Sequence, residues 1–405
     1  MKGRALFFSL ILFSSVLSGC FGDDEEEDVS RFSWPENVDS GCGVEAGSDF
    51  NCTLYLDGFQ TPVKVLHSPS EEEIWIVDLS GQITAWDGNQ HRQIANLSEN
   101  VSTCHNEQGL LGMEFTDDFT TTGMVLLSYV ETGPCNSEHV ASLILAEATL
   151  VNGTISYDSL LTIHEIEQPY RNHNGGSIQS VGNNQYLWGI GDGGGSKDPL
   201  GHGQNQSNAY GSMLLFEHTE HAIEPVMVDD EGNETFVLHS GLRNPWKYDV
   251  DPSGGLWIAD VGQYCYEEVN HIAKWNESAN FGWSTTEGLH HFEAEAEVCD
   301  AELFDNENSS ITLPVMEYDH TGGNCSVSGG QYVDWGEETF NNSYVFGDFC
   351  SGMIWTLQGP NDMYNQELLV DTNIFLVGFG QGLHDELLML SWSGQIYALQ
   401  KQFIK

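Results

Sequence analysis

The feature that most constrains this chain is a recurring unit. Residues 74–86 read IWIVDLSGQITAW, 185–194 read QYLWGIGDGG and 255–263 read GLWIADVGQ. Residues 344–357 read YVFGDFCSGMIWTL and 386–399 read ELLMLSWSGQIYAL. Each copy opens with four or five apolar or aromatic residues, the pattern of a strand buried on both faces. Asp78, Asp192, Asp260 and Asp348 then open a glycine-containing turn, where an aspartate side chain can bond to the backbone two residues on. In the clearest copies an alternating strand follows. A sixth, weaker unit spans residues 122–148, where GMVLLSYV precedes ASLILAEA. No long stretch carries the i, i+3, i+4, i+7 apolar stripe of a helix.

Such units at spacings of tens of residues predict an all-β fold, a six-bladed β-propeller, in preference to a β-sandwich or two smaller β domains. Radial repetition protects sheet edges, and ligands bind where loops converge over the central channel. Residues 42–400 are expected to form this one domain, with 401–405 as a short tail.

The 12 Lys+Arg against 61 Asp+Glu, a formal net charge of −49, exclude whole classes of partner. Nucleic-acid binders cluster cations against phosphates, and attraction to an anionic leaflet needs the same residues. Hydrophobic residues at 40% and aromatics at 11% are ample for a packed core.

The N-terminal residues read as an address. Lys2 and Arg4 precede an apolar run, Ala5–Leu17, that is shorter than the roughly 18 residues of a membrane helix. Leu17-Ser18-Gly19-Cys20 has the form of a bacterial lipobox, which makes residues 1–20 a lipoprotein signal and Cys20 the lipidated residue. Residues 21–41, with the block Asp23–Asp28, form an acidic tether. The chain is expected at the cell surface or outside the cell, touching membrane only through the lipid.

Setting Cys20 aside leaves eight cysteines, an even number that in an exported chain implies disulfides. Spacing cannot fix their connectivity. Pairing between chain neighbours is the expectation: 42–52, 104–135, 265–299 and 325–350. No CxxC or Cys/His spacing indicates a zinc site. Sequons at Asn51, Asn96, Asn100, Asn152, Asn205, Asn233, Asn276, Asn308, Asn324 and Asn341 are candidate glycan acceptors.

Three stretches carry more than scaffold. They are NHNGGSIQSVGNNQYLWGIGDGGGSKDPLGHGQNQSNAYG (172–211), GLRNPWKYDVDPSGGLWIADVGQYCYEEVN (241–270), and DHTGGNCSVSGG with YVFGDFCSGMIW between Asp319 and Trp355. His173 lies in a polar, glycine-flanked loop, and neutral imidazole is the natural general base near pH 7. Arg243 and Asn244 supply a cationic fork and an amide. The GDGGG run (191–195) lacks a following helix with Lys-Ser/Thr and reads as a turn, not a phosphate cradle.

With EQGLLGMEF (107–115) and NFGW (280–283), these stretches resemble the glucose/sorbosone dehydrogenase family over roughly residues 54–400. That family comprises six-bladed propellers, including PQQ-dependent aldose dehydrogenases and Hedgehog-interacting-protein-like ectodomains; GLRNPW, CSVSGG and FGDFCSG are closer to the latter. The resemblance implies that His173 takes a proton from a sugar hydroxyl while hydride passes to the quinone. It implies that Arg243 and Asn244 stabilise charge on the reduced cofactor, with Glu107 and Asn172 as further cofactor contacts. It also implies Ca²⁺ held by carbonyls of a turn matching Gly262-Gln263; the nearby carboxylates Asp260, Glu267 and Glu268 are candidates for a second ion on their closeness in the sequence. Charge arithmetic opposes PQQ: it carries three carboxylates, yet residues 275–400 contain no Lys or Arg. Family members draw such residues from positions matching Cys350 and Val377–Gln381. The expected activity is oxidation of an aldose or related polyhydroxy compound. The alternatives are a non-catalytic propeller that binds a glycan or protein, and a calcium-dependent lactonase or esterase.

Overall fold

The computed structural model describes residues 41–401 except 45–47, 71, 137–139, 230, 293–298, 300, 308, 339 and 360–363. The signal, Cys20, Asn308 and residues 402–405 lie outside the described residues, as does the acidic tether up to residue 40. Among the described residues no helix is long and apolar enough to cross a membrane.

Six antiparallel sheets follow one another as blades. Blade 1 comprises Pro62–His67, Ile74–Asp78, Gln82–Trp86 and His91–Asn96. Blade 2 comprises Leu110–Phe115, Met124–Val130, Ser142–Val151 and Leu161–Glu167. Blade 3 comprises Ile178–Gly182, Gln185–Ile190, Ser212–Thr219 and Ala222–Pro225. Blade 4 comprises Lys247–Val250, Leu256–Asp260, Tyr266–Ile272 and Met316–Asp319. Blade 5 comprises Val327–Val333, Ser343–Asp348, Met353–Gln358 and Asn365–Asp371. Blade 6 joins Leu376–Gln381, Leu387–Ser391 and Ile396–Lys401 to the early strand Phe50–Leu56, which closes the ring. The chain is a six-bladed β-propeller, and its last strand runs one residue past the expected boundary.

Every repeat read in the sequence supplies the second strand of a blade. These strands are apolar up to their last residue because blades pack on both faces: Ile74–Asp78, Leu256–Asp260 and Leu387–Ser391 are buried at every position. Between blades 1 and 2, Trp75 meets Phe115 and Phe119 edge-on, with centroids 5.0 and 5.8 Å away. Each such side chain removed from water contributes about 2 kcal/mol. Where a core group is polar it is bonded: Trp188 Nε1 donates to Ser128 Oγ at 3.0 Å.

The aspartates that end these strands brace the blades. Asp78 accepts the N–H groups of Gln60 and Thr61 at 2.8 and 3.1 Å. Asp260 accepts those of Arg243 and Asn244 at 2.7 Å each. Asp348 accepts those of Cys325 and Ser326 at 2.9 Å each. In each case the amides belong to the segment that leads into the innermost strand of the same blade. Asp78, Asp192 and Asp348 also bond the amide two residues on, as the turn reading required.

The four expected disulfides form: Cys42–Cys52, Cys104–Cys135, Cys265–Cys299 and Cys325–Cys350.

Candidate active site

The segments preceding the innermost strands of blades 3 and 4 meet the turn that follows the second strand of blade 4. His173 sits in the first of these. Its φ of +55° is unusual for a side-chain-bearing residue. The fold holds it there: its N–H donates to Glu107 Oε2 at 2.7 Å. Position 191 must also be glycine, since a Cβ would collide with the His173 carbonyl.

The imidazole is buried, and its Nδ1 lies 2.7 Å from Asp192 Oδ1. An ionised carboxylate only accepts, so Nδ1 carries the proton and Nε2 presents its lone pair. Asp192 is itself fixed, receiving Gly194 N–H at 2.9 Å and Trp283 Nε1 at 2.9 Å. In blade 3 the bracing aspartate has been turned from backbone onto an imidazole. Behind it His105, whose Nδ1 receives the Glu107 N–H at 3.2 Å, is pushed below its usual pKa by burial.

Arg243 and Asn244 stand on the adjoining segment, clamped by Asp260. The Arg243 guanidinium lies 5.5 Å over the Trp283 ring. It donates from Nη2 to Gln263 Oε1 at 3.2 Å, while its buried Nε has no partner among the described residues. The Gln263 oxygen also receives Lys197 N–H at 2.8 Å. Asn244 accepts Gly175 N–H at 3.0 Å and approaches Glu107 Oε2 with Nδ2 at 3.5 Å. Thus Glu107, His173, Arg243, Asn244 and Gln263 belong to one hydrogen-bonded network. Asn172 points away from it, accepting Gly195 N–H at 3.1 Å.

The turn at Gly262 has a defined polarity. The N–H groups of Gln263, Tyr264 and Cys265 converge on Glu287 Oε1 at 2.7, 2.7 and 2.9 Å. In a trans peptide the carbonyl points opposite to the amide that follows it. The carbonyls of Gly262, Gln263 and Tyr264 are therefore directed away from Glu287. Hard carbonyl oxygens suit Ca²⁺, and a carboxylate behind the turn adds favourable potential.

The three carboxylates expected to share a second ion do not come together. Asp260 and Glu268 are cross-strand partners. Glu267 faces the other side of its strand, where it accepts His320 Nε2 and Val327 N–H at 2.8 Å each. Glu268 is spent on Asn270 Nδ2 and Gly288 N–H, at 2.7 and 2.9 Å. Adjacent residues on a strand point to opposite faces, which is what separates the pair. Among the described residues no three His, Cys, Asp or Glu side chains are placed to hold a metal. Burial raises Asp260 to about 7, and burial with the Asp260 charge raises Glu268 well above the usual carboxylate range.

Trp283 and Glu287 were not anticipated as site residues. Both arrive on the long excursion between the last two strands of blade 4. NFGW marked the first only as part of a resemblance, and nothing set Glu287 apart from the many acids around it.

The closed ring of six blades carries a buried histidine–carboxylate pair beside an arginine whose Nε lacks a partner among the described residues. The chain belongs to the glucose/sorbosone dehydrogenase family, whose model matches residues 59–372. It is similar to the HIPL1 protein of Arabidopsis thaliana, 27% identical over 217 residues, 46% of this chain and 30% of that relative. The match therefore spans less than a third of that protein's length. Among solved structures it is similar to the apo-form soluble aldose sugar dehydrogenase of Escherichia coli, with TM-score 0.69 and 17% identity over 87% of this chain and 100% of the other. The PQQ-bound aldose sugar dehydrogenase of Streptomyces coelicolor matches with TM-score 0.66 and 16% identity, over 89% and 99%. A calcium structure of the Trichoderma reesei family AA12 enzyme matches with TM-score 0.60 and 13% identity, over 91% and 99%. At these identities the structures attest the fold alone.

Proposed function

We propose that the chain is an oxidoreductase that dehydrogenates an aldose or related polyhydroxy compound at the mouth of the propeller. The observation that carries this reading is the His173–Asp192 pair. With Nδ1–H held by a buried carboxylate, Nε2 is a fixed general base. It receives the proton of the substrate hydroxyl as hydride leaves the same carbon.

The residues present fit PQQ and Ca²⁺ in part. Arg243 has a buried Nε–H without a partner among the described residues, Asn244 offers Nδ2–H, and the Gly262-Gln263 turn aims carbonyls away from Glu287. PQQ, when bound with Ca²⁺, supplies the two-electron acceptor. Arg243 and Asn244 would hold its oxygens and stabilise negative charge there, Glu107 keeps Asn244 and the His173 backbone in register, and Gly262 and Gln263 would hold the metal. The reading of residues 1–41 puts this activity at the cell surface on a lipid carried by Cys20, and four disulfides fit an oxidising compartment. Sugar-dependent dye reduction by purified protein supplied with PQQ and Ca²⁺ tests the proposal. No turnover across a broad sugar panel, with no quinone absorbance retained, would end it.

The absence of Lys and Arg from residues 275–400 favours a second reading, a non-catalytic propeller that binds a glycan or protein on the same face. It requires saturable binding that survives His173→Ala.

A further inference from the structure

Lys247 opens the innermost strand of blade 4, and the chemistry above leaves it unused. Its side chain crosses the ring inward over blade 5 towards blade 6. A Cβ at Gly329, on the innermost strand of blade 5, would collide with its Cβ and Cγ. A Cβ at Gly378, on that of blade 6, would stand 3.5 Å from its Cε. The ammonium ends 4.1 Å from the centroid of the Trp246 ring, buried and without a hydrogen-bond partner among the described residues.

The surrounding charges do not explain it. Lys64, the other lysine between innermost strands, is satisfied by the carbonyls of Met113 and Ile178 at 3.0 and 2.6 Å and by Glu114 at 3.4 Å. Asp249, two residues along the strand from Lys247, is taken by Gln179 Nε2 at 2.7 Å and Tyr332 N–H at 2.9 Å. A chain with 61 acidic residues has bonded none of those described here to this ammonium. Burial and the charge on Lys64 press it well below the usual lysine range, so keeping it costs stability. A buried unsatisfied polar group calls for a ligand, an ion or a water. A costly group kept inside a binding domain is more economically explained by a guest than by packing.

We propose that Lys247 is the anchor for a carboxylate group of the molecule bound over the ring. Blade 4 thereby delivers to the face of blade 6 the cation that residues 275–400 do not contain. The inference rests on the reading that the His173–Arg243 pocket takes an anionic guest, and it assigns one of that guest's charges to a specific residue.

The test is calorimetric titration of the full-length chain in Ca²⁺ buffer with PQQ, with D-gluconate and with uncharged D-glucose. We expect at least one carboxylate probe to bind, and Lys247→Met to weaken it by about tenfold or more. PQQ alone responding assigns the carboxylate to a cofactor, gluconate alone to a substrate or product. Any glucose affinity should be unchanged. The melting temperature of Lys247→Met should equal or exceed that of the parent, because a buried unpaired ammonium has been replaced by an apolar chain of similar length. A merely structural lysine would give the reverse, a lower melting temperature with probe binding intact. Lys247→Arg retains the cation and should bind within about threefold of the parent. If it loses the probe as fully as Lys247→Met, charge is not what matters and the proposal falls. It also falls if Lys247→Met binds within about twofold of wild type, or if no carboxylate probe binds wild type. Probe binding lost in Arg243→Gln but kept in Lys247→Met would overturn this inference and leave the pocket reading standing. Binding lost in Lys247→Met without any sugar oxidation by wild type would uphold this inference and overturn the oxidoreductase reading.

Discussion

Asp192 holds Nδ1 of His173 at 2.7 Å, whereas Asp260, at the matching position of the next blade, spends its carboxylate on the backbone of Arg243 and Asn244. One device serves two purposes: in blade 4 it positions Arg243 and Asn244, and in blade 3 it sets the tautomer of His173.

Asp192→Asn should therefore leave the fold intact and slow sugar-dependent dye reduction by about 10²–10⁴-fold, as His173→Ala should. An asparagine oxygen can still accept, but its amide nitrogen can turn towards the ring and favour the wrong tautomer. Steady-state kinetics beside a thermal melt measures both. Activity of Asp192→Asn within a few-fold of wild type would remove the base from the mechanism.

Glu287 orients the Gly262-Gln263 turn through three short amide bonds. Glu287→Ala should weaken Ca²⁺ binding by about 10–100-fold, the effect expected of a residue that orients ligands. Terbium luminescence displaced by Ca²⁺ reads this directly. Glu267→Gln, on the opposite face of its strand, should leave the Ca²⁺ affinity unchanged.

Acid lability should centre on His239. Its Nδ1 receives the Ala279 N–H at 3.2 Å and its Nε2 bonds the Trp275 carbonyl at 3.0 Å, the pattern of a neutral ring. Burial lowers its pKa from 6.5 to about 4. The depressed value means that the unfolded chain takes up the proton first. Stability is thus fully present above pH 6.5 and is lost as pH falls towards 4, by about 3 kcal/mol in all. Urea unfolding at stepped pH should show the wild type losing this much more stability than His239→Asn as pH falls, since raised carboxylates such as Asp260 act alike in both.

Cys52→Ser opens the bond that ties Cys42 to the closing strand. By loop-closure entropy it should cost about 3 kcal/mol, read as a lower melting temperature under non-reducing conditions. Reducing the wild type, which opens all four disulfides, should lower it further.

The fold was legible because burial on both faces forces unbroken apolar runs, and six of these mark the second strands from Ile74–Asp78 to Leu387–Ser391. Outer strands such as Asn365–Asp371, with most residues exposed, left no such trace. His173, Arg243, Asn244 and Gln263 were legible as motif residues, and they share one network. Glu267 was misgrouped with Asp260 and Glu268, which do pair across adjoining strands, because alternation along its strand sends it to the other face and to His320. Trp283 and Glu287 were hidden because long-range topology brings them in, with Trp283 reaching Asp192 across 91 positions.

The strand Phe50–Leu56 is hydrogen-bonded to Ile396–Lys401, so the first described strand finds its place only beside the last. A ribosome would have to release nearly the entire polypeptide before this seam could be sewn. Until then five blades would wait as an open arc with a sticky margin. Oxidation of Cys42 and Cys52 then fastens the clasp, because Cys52 lies on that closing strand.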